Sequence, residues 1–459
     1  MITRLHLEER VREWGLREDV VEKDYVLGWM LWGIGAHPQL ARLWAFKGGT
    51  CLKKCYIETY RFSEDLDFTV LPDGPIRQSE IEPIIREVLQ RIADESGIDF
   101  SGRPVALRTH QSGLYTEGRV YYRGPRNAPE VASIRLDLTA SEKVVRPTVL
   151  RPIAHSYPDA LPMPATVRCY CFDEVFAEKI RAMGERSRPR DLYDIINLFR
   201  WPDLHAHPDL VRTVLVEKCQ TKGVSVPTFA SIESSQFRTE LESEWSNMLA
   251  HQLPALPPFD SFWADLPMMF KWLEGTLAIP QMPAIPAGAG EEAAGVGLPP
   301  PTLSTWGTGI PLETIRFAAA NHLCIDLGYG GSHRVVEPYS LRRTREGNLI
   351  LHTIKSDTRE HRSYRIDRIT SVQITAQPFT PTYRVEFSAS GPIQAAPTVT
   401  SPSRLPKRRR SYSAGAGVIY TVQCPYCHKN FRRSRMDTML KPHKDRSGYP
   451  CPCRHGYLV

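Results

Sequence analysis

Residues 46–70, FKGGTCLKKCYIETYRFSEDLDFTV, combine a Gly-Gly-Thr sequence at 48–50 with an acidic pair, Asp65 and Asp67, in an apolar run. Alternate side chains of a strand point to opposite faces, so this run predicts a strand with both carboxylates on one face and apolar residues on the other. Two carboxylates about 7 Å apart along a strand suit a hard divalent cation that also binds phosphate oxygens. The glycines upstream allow backbone N–H groups to approach a triphosphate closely.

The same residues also fit a simpler structure, in which a glycine turn leads into an edge strand with an acidic polar face, because short motifs match by chance. The distance between turn and strand, together with Arg-Phe-Ser at 61–63, favours a functional unit instead. Residues 47–50 and 61–67 resemble the signature of the nucleotidyltransferase superfamily, and more closely that of its AbiEii/AbiGii toxin branch. The resemblance implies that Asp65 and Asp67 are catalytic Mg²⁺ ligands. It also implies that the nucleotide is bound by Lys47, Gly48, Gly49, Thr50 and Ser63.

The composition is that of a folded protein with a basic C-terminal end. Over 459 residues, 42% are apolar and 24% are charged, which is typical of globular chains, and the length allows about three domains. The net charge of +7 is uneven, because residues 401–459 carry +11 and residues 1–400 carry −4. This distribution predicts a polyanionic partner for the C-terminal end.

Neither a membrane span nor a secretory signal is predicted. The longest apolar run, residues 25–36, is too short to cross a bilayer, and charges at residues 8–10 interrupt the N-terminus. Of ten cysteines, four cluster near the C-terminus and six are scattered. This pattern indicates one metal site and ordinary buried thiols rather than a disulfide framework. We therefore expect a cytoplasmic protein with no membrane partner.

A third carboxylate is predicted from a second strand. The sequence predicts helices over residues 18–35 and 76–96, followed by strands over 119–123 and 133–139. Asp137 lies on the polar face of the second strand, where a lone aspartate is usually solvated. The superfamily fold implies a third metal-binding carboxylate on a strand next to the Asp65–Asp67 strand, and Asp137 is the candidate.

Residues 171–199, CFDEVFAEKIRAMGERSRPRDLYDIINLF, predict two helices that carry several charges. Lys179 lies within the apolar stripe of the first helix, so it either extends outward to solvent or projects into a cleft where a phosphate compensates its charge. The block resembles the downstream motif of the same toxin branch, a glutamate-lysine helix followed by Arg-Asp-x-Tyr-Asp, although here the tyrosine directly precedes the second aspartate. The resemblance implies that Lys179, Arg186 and Arg190 bind phosphates. It also implies that Asp191 is the catalytic acidic residue, which orients or deprotonates the acceptor.

Two further modules are predicted after a Pro/Gly/Ala-rich linker at residues 275–311. Residues 312–390 alternate like short strands and resemble a WYL domain, with Leu-Ile-Leu at 349–351 in place of the Trp-Tyr-Leu that names the family. The resemblance implies an anion or nucleic-acid pocket, and a purely structural β-barrel is the alternative. The residues that would line this pocket are Tyr329, Arg334 and Arg362.

A basic linker at residues 391–416 precedes a cysteine-rich tail at 417–459. In the tail, Cys424 and Cys427 form half of a zinc site, and the second pair of ligands comes from His443, Cys451, Cys453 and His455. We predict a structural zinc ion bound by Cys424, Cys427, His443 and Cys451, with Cys453 as the substitute. A tail this short has too little core to fold without a metal. Its arginines, lysines and aromatic residues suit binding of a nucleic-acid backbone.

The predicted fold class is therefore α/β (α+β). Residues 1–274 would form a nucleotidyltransferase-fold domain with a helical C-terminal part, followed by a small β-rich WYL-like module and a zinc-ribbon-like tail. The resemblance implies an enzyme with two Mg²⁺ ions that moves an NMP from an NTP to RNA, with tRNA 3′ ends as acceptor in some relatives. It further implies a toxin of a type IV toxin–antitoxin or phage-defence system, with an antitoxin or regulator as possible partner. The competing class is a nucleic-acid-binding regulator with a degenerate transferase domain.

Overall fold

The computed structural model describes residues 1–57, 61–201, 206–233, 237–277, 282–288, 292–293, 312–344, 346, 348–386, 420–433, 437–445, 448 and 450–458. The chain divides into two compact units, Met1–Thr398 and Val399–Val459, and each is described by itself. The predicted basic linker at 391–416 and most of the predicted linker at 275–311 lie outside the described residues. None of the helices within those ranges has the length and apolarity needed to cross a membrane.

The N-terminal half of the first unit alternates helices with short strands. Its elements up to the last strand of the main sheet are α1 (Arg4–Trp14), α2 (Glu18–Ala36), α3 (Leu40–Leu43), β1 (Trp44–Lys47), α4 (Gly48–Cys51), a π-helical turn (Leu52–Tyr56), β2 (Asp65–Val70), α5 (Gln78–Ser96), β3 (Ala106–Thr109), β4 (Tyr115–Tyr122), β5 (Ala132–Thr139), β6 (Val149–Pro152) and β7 (Thr166–Cys169).

These strands form a seven-stranded sheet in the order β3-β4-β5-β2-β1-β7-β6. β2 lies inside the sheet, antiparallel to β1 and parallel to β5. The alternative of an acidic edge strand is therefore wrong. The register places Asp67 opposite Lys47 on one side and opposite Asp137 on the other, so the sheet itself aligns two of the predicted carboxylates.

Burial of the apolar face of β2 explains why the acidic face is turned away from the core. Leu66 and Phe68 are fully buried, and the Phe68 ring lies 5.1 Å from the ring of Phe46 on β1. Burying such a side chain stabilises the fold by roughly 1.5–3 kcal/mol. A shift of register by one residue would bury the aspartates instead, and this cost fixes the register.

Helices cover the sheet and extend the unit beyond it. A side chain at Gly33 of α2 would collide with Ile92 and Val88 of α5, so the glycine permits close packing of these two helices. The helices that follow the sheet are α6 (Phe172–Arg186), α7 (Pro189–Arg200), α8 (Pro208–Lys222), α9 (Phe229–Glu233), α10 (Phe237–Leu249), α11 (Phe259–Trp263) and α12 (Leu266–Leu273).

A second sheet belongs to the same compact unit. Its order is β12-β11-β10-β9-β13, with β8 paired to β10. Thr314 at the start of the following helix donates a hydrogen bond of 3.1 Å to the carbonyl of Glu13 at the end of α1, which ties the two parts together. The elements are β8 (Glu292–Ala293), α13 (Leu312–Ala320), β9 (Leu323–Tyr329), β10 (Ser332–Arg343), β11 (Leu349–Lys355), β12 (His361–Arg365) and β13 (Ile369–Pro378).

The tail unit is a small three-stranded sheet in the order β15-β14-β16, formed by β14 (Tyr420–Gln423), β15 (Asn430–Arg433) and β16 (Tyr457–Leu458). Among the residues described in this unit, the buried centre comprises two aliphatic residues, Val422 and Leu440, and three cysteines. A core of this size is typical of small domains that a cross-link or a metal stabilises. The mixed α/β class with additional β-rich parts, predicted from the sequence, is confirmed.

Candidate active site

A cleft of about 490 Å³ lies between the acidic face of β2 and β5 and the helices α6 and α7. Eleven of the twelve residues predicted to bind the nucleotide or act in catalysis line it. They are Lys47, Gly48, Gly49, Ser63, Asp65, Asp67, Asp137, Lys179, Arg186, Arg190 and Asp191.

Thr50 is the exception. Its hydroxyl is fully buried and donates a 2.6 Å hydrogen bond to the carbonyl oxygen of Asp65. The side chain therefore does not line the cleft, and the role of Thr50 in cradling a triphosphate stays a prediction for its backbone N–H group. Instead it ties the first helical turn after β1 to the start of β2, and so it helps to position Asp65.

Burial and mutual repulsion perturb the carboxylates of β2. Burial raises the pKa of Asp67 to about 6; the charge of Lys47 opposes this increase, and the charges of Asp65 and Asp137 add to it. Burial and the charge of Asp137 also raise the pKa of Asp65. Within the described part of the chain, the carboxylates of Asp65 and Asp67 accept no hydrogen bond and form no ion pair. Such acceptors are suited to a cation.

Asp137 is held in a different environment. Its Oδ1 atom accepts hydrogen bonds from Nε of Arg135 at 3.0 Å and from the hydroxyl of Tyr115 at 3.2 Å. These contacts orient the carboxylate and compensate part of its charge. Asp137 therefore provides a fixed third acceptor beside the two uncompensated ones.

The glycines predicted to form a turn begin the short helix α4. Gly48 has φ of +82°, and a Cβ atom there would collide with the carboxylate of Asp67. A Cβ atom at Gly49 would lie 2.6 Å from Nη2 of Arg61. Only glycine allows the backbone to pass this close to an acidic group on one side and a guanidinium group on the other. The backbone at this point is therefore accessible to a ligand bound between them.

A buried cluster of opposite charges forms the helical wall of the cleft. Asp194 is fully buried and accepts hydrogen bonds from Arg61 at 2.6 and 2.8 Å. Nζ of Lys179 lies 2.8 Å from the same carboxylate. Burial alone would raise the pKa of Asp194, but the charges of Arg61 and Lys179 lower it well below its usual range. Lys179 does project toward the cleft, and Asp194 fixes its position.

The carboxylate of Asp191 forms an ion pair with Arg186. Both of its oxygens accept hydrogen bonds from Arg186, at 2.8 and 2.9 Å, and the carboxylate is fully buried. Both carboxylate oxygens are thus already engaged by the guanidinium group. The geometry therefore fits a residue that orients Arg186 better than one that deprotonates the acceptor.

The comparisons with known proteins identify this part of the chain. A family model for the nucleotidyl transferase AbiEii toxin of type IV toxin–antitoxin systems matches residues 30–265, just over half of the sequence. The chain belongs to the AbiEii family. It is a nucleotidyltransferase, and the resemblance stated for its N-terminal half is confirmed.

The searches of solved structures and of curated proteins do not extend this identification. Among solved structures, MenT4, a nucleotidyltransferase toxin from Mycobacterium tuberculosis H37Rv, is 22% identical, with a TM-score of 0.40 over 61% of this chain and 91% of that chain. The search of curated proteins found no match. The AbiEii match ends at residue 265, so the WYL-like and zinc-ribbon-like assignments of the C-terminal half stay predictions.

Sequence reasoning missed part of the AbiEii cleft. Arg61 and Asp194 were recognised only as members of the motifs, and the contact between them was not predicted. Lys47 is paired with Glu142 and with Glu178 at 3.4 Å, and the charges of Lys47 and Lys218 overcome burial and lower the pKa of Glu178 to about 2. Neither glutamate belongs to a recognisable spacing, so only the fold brings them to the cleft.

The β module carries a shallow depression of about 860 Å³ that includes Arg334 and Arg362 in its lining. Tyr329 does not line it; its ring centroid lies 5.8 Å from the guanidinium carbon of Arg334. The surface is mixed in charge, because Asp326 and Asp357 also line it. β12 and β13 are separated by a 3-10 turn at Ile366–Arg368.

The predicted zinc ligands meet in the tail. The ligand atoms of Cys424, Cys427, His443 and Cys451 all lie within 4.8 Å of one another, and the sulfurs of Cys424 and Cys451 are 3.7 Å apart. Tetrahedral zinc with Zn–S bonds of about 2.3 Å requires a spacing of about 3.8 Å. Cys453 lies outside the group and directs its thiol to the carbonyl of His455.

The ionisation of Cys424 and the hydrogen bonding of His443 are also compatible with a bound metal. Burial opposes ionisation of Cys424, but hydrogen bonds from the backbone of Cys427 and Tyr426 lower its pKa to about 6. Nδ1 of His443 lies 3.0 Å from the Lys441 carbonyl. Its Nε2 atom is buried and has no hydrogen-bond partner in the described ranges. A histidine that bonds a carbonyl with one ring nitrogen and leaves the other free is typical of a zinc ligand.

Proposed function

We propose that this AbiEii-family enzyme transfers a nucleoside monophosphate from an NTP to an RNA acceptor, for which the 3′ end of tRNA is the favoured site. The observation that carries the proposal is the convergence of Asp65, Asp67 and Asp137 with the turn at Gly48 and Gly49 on one cleft. In the reaction, an acceptor hydroxyl attacks the α-phosphate of the NTP, its proton is lost, and pyrophosphate leaves.

The three aspartates are proposed to hold two Mg²⁺ ions. Hard divalent cations prefer carboxylate oxygens, and burial together with mutual repulsion of the carboxylates raises the pKa values of Asp65 and Asp67, which a bound cation would counteract. When bound, Mg²⁺ supplies charge neutralisation for the phosphates and activation of the attacking oxygen. Deprotonated Asp67 is the form that can ligate, and the Tyr115 and Arg135 contacts keep Asp137 directed to the same place.

The remaining roles follow from the positions of the charges. Backbone N–H groups at Gly48 and Gly49 would bind phosphate oxygens, since no side chain obstructs them. Lys179, held by Asp194, and Arg186, held by Asp191, would attract the triphosphate from the helical wall. Fixing both cations in advance reduces the entropy lost when the nucleotide binds.

The acceptor is proposed to be RNA because the C-terminal end is strongly basic. The type IV toxin–antitoxin family further implies an antitoxin that counteracts the enzyme, and a role in phage defence would fit such a pair. NTPs and RNA are both cytoplasmic, which supports action in the cytoplasm. A degenerate transferase domain is disfavoured, since all three aspartates line one cleft together with Lys179.

The proposal is tested by incubating the full-length protein with each labelled NTP, Mg²⁺ and total cellular RNA. We expect label from one NTP to enter a discrete RNA species, and none when EDTA replaces Mg²⁺. Digestion of the labelled RNA then shows whether the added nucleotide is at the 3′ end. If no nucleotide labels RNA and label enters protein instead, the RNA acceptor is wrong.

A further inference from the structure

Three thiols from separate segments meet beneath the turn at Gly48 and Gly49. Cys51 ends α4, Cys55 lies in the π-helical turn and Cys169 ends β7. All three are fully buried, and their sulfur atoms lie within 4.8 Å of one another. The sequence predicted ordinary scattered thiols here, because Cys169 is far from the other two along the chain. We name this group the core trithiol.

A half-buried cation, Arg151, lies beside the core trithiol. Arg151 donates from Nε to the carbonyl of Cys55 at 3.2 Å, and its guanidinium carbon lies 4.8 Å from the Tyr56 ring centroid. Its Nη2 atom is buried and has no hydrogen-bond partner among the residues that the structure describes. A positive charge at this place would stabilise the sulfurs in their thiolate form.

The three sulfurs are not equivalent. Burial raises the pKa of Cys51 and of Cys55. Burial also opposes ionisation of Cys169, but the neighbouring thiols of Cys51 and Cys55 and the charge of Arg151 lower its pKa well below its usual range. Cys169 is therefore the thiol of the group that ionises most readily.

We propose that Cys51, Cys55 and Cys169 bind one soft monovalent metal ion of the Cu(I) class in a three-coordinate thiolate site. Thiolate ligands without nitrogen or oxygen select soft ions. Zinc requires a tetrahedral fourth ligand, and no histidine, carboxylate or further cysteine of the described chain joins the group. Three sulfurs about 2.3 Å from one ion would be about 4.0 Å apart, within the observed limit.

Binding is a ligand exchange without a redox step. Metal–sulfur bonds form, the thiols release their protons to solvent, and the ion leaves its previous ligands. The bound ion would link α4 to β7 directly. Because Cys51 ends the same helical turn that Gly48 begins, the ion would also restrain the backbone that lines the cleft.

The test uses the full-length protein loaded with zinc, so that the tail thiols are occupied. Cu(I) is added without oxygen in the presence of bathocuproine disulfonate as competitor, and copper and zinc are measured in the same sample. We expect one copper per chain with zinc retained. Cys169→Ser should lose the copper, and Cys171→Ser, a half-buried thiol two residues away and outside the group, should keep it.

A second measurement covers the case in which Cys169→Ser does not fold. Copper X-ray absorption of the wild-type protein should report three sulfur neighbours and no nitrogen, and copper should raise the Tm. A copper site with a nitrogen ligand would place the ion at the tail histidine and overturn the proposal. So would wild-type protein that retains no copper, or Cys169→Ser that binds as much copper as Cys171→Ser.

Discussion

Asp194 and Arg61, 133 residues apart in the sequence, form a two-pronged ion pair in the buried wall of the cleft, with hydrogen bonds of 2.6 and 2.8 Å. Asp194 also holds Lys179 at 2.8 Å, so one carboxylate positions two cations. The pair joins the segment that precedes β2 to helix α7. The two sequence motifs of the AbiEii family are thus physically connected through this contact.

Asp194→Asn should destabilise the protein by about 3–5 kcal/mol, because Arg61 and Lys179 would remain buried without their countercharge. Urea denaturation followed by circular dichroism measures the loss. The control is Asp209→Asn, since Asp209 is 81% exposed in its pair with Arg212 and should change stability by less than about 0.5 kcal/mol. Equal midpoints for the two variants would show that the Asp194 cluster does not stabilise the fold.

Asp65→Ala or Asp67→Ala should abolish nucleotide transfer while leaving the protein folded. Each change removes a proposed metal ligand and also relieves repulsion between buried carboxylates. Label transfer measures the first effect and thermal unfolding the second. Asp94→Ala, an exposed carboxylate on α5 outside the cleft, serves as control. Undiminished transfer by either cleft variant would remove the basis for the metal-binding proposal.

The elevated pKa of Asp67 predicts a specific pH dependence in metal-free protein. The folded state binds the Asp67 proton more tightly than the unfolded state does, so the resulting stabilisation is complete below about pH 4 and is lost as the pH rises through about 6. The Asp67→Asn variant has no ionisable group at this position, so it does not lose this stabilisation as the pH rises. Relative to the variant, wild type should therefore become less stable between pH 4 and 6, by at most about 1.4 kcal/mol per pH unit.

Mg²⁺ provides the control for that pH effect. A bound cation favours the ionised carboxylate, so saturating Mg²⁺ should remove most of the difference between wild type and Asp67→Asn above pH 6. Unfolding curves at pH 4, 5, 6 and 7, with EDTA or Mg²⁺, give the comparison. A difference that does not vary with pH would mean that Asp67 titrates at its ordinary pKa.

Periodicity explains why the acidic part of the cleft was predictable. Asp65, Asp67 and Asp137 lie on polar faces of alternating strands, and a two-residue period can be read directly from a sequence. The contact of Asp194 with Arg61 and the meeting of Cys169 with Cys51 have no such period. They depend on which strands and helices become neighbours, and in this sheet β7 lies beside β1 although five strands separate them in chain order.

Thr50 shows a different limit of sequence reasoning. The residue lies in the recognised motif, yet its hydroxyl turns into the core to hold the Asp65 carbonyl. A motif defines which residues accompany one another and not which way each side chain points. The zinc ligands of the tail are easier to propose from the sequence. Closely spaced Cys and His residues in a short chain offer few alternative sets of four ligands for a tetrahedral ion.

The tail should contain one tightly bound zinc ion per chain. Cys424→Ser should lose the metal together with the tail strands, because Val422 and Leu440 provide almost the entire apolar centre. Cys453→Ser should keep both, since Cys453 lies outside the group of ligand atoms. Metal analysis and amide hydrogen exchange of the tail check these outcomes. Zinc loss in Cys453→Ser with retention in Cys424→Ser would reverse the ligand assignment.

Nucleic-acid affinity should reside mainly in residues 401–459, the end of the basic linker together with the tail, because they carry +11 whereas residues 1–400 carry −4. A chain that ends at Thr398, the boundary of the first compact unit, should retain Mg²⁺-dependent transfer at high acceptor concentration and bind RNA more weakly. Its salt dependence should also decrease, since each lost phosphate contact lowers the log–log slope by about 0.7 on a single strand or about 0.9 on a duplex.

A matched full-length variant separates tail charge from tail structure. Arg432, Lys441 and Lys444 are exposed, and replacing all three by Gln keeps the zinc ligands. Lys429 is left unchanged, because its Nζ donates to the carbonyls of Lys444 and Asp445 at 2.7 and 3.0 Å and so supports the tail fold. The triple variant should bind zinc normally and lower the salt slope by up to about 2 on single-stranded RNA. If it binds RNA with the wild-type affinity and slope, Arg432, Lys441 and Lys444 do not contact RNA, and the tail surface that they form is not the RNA-binding site.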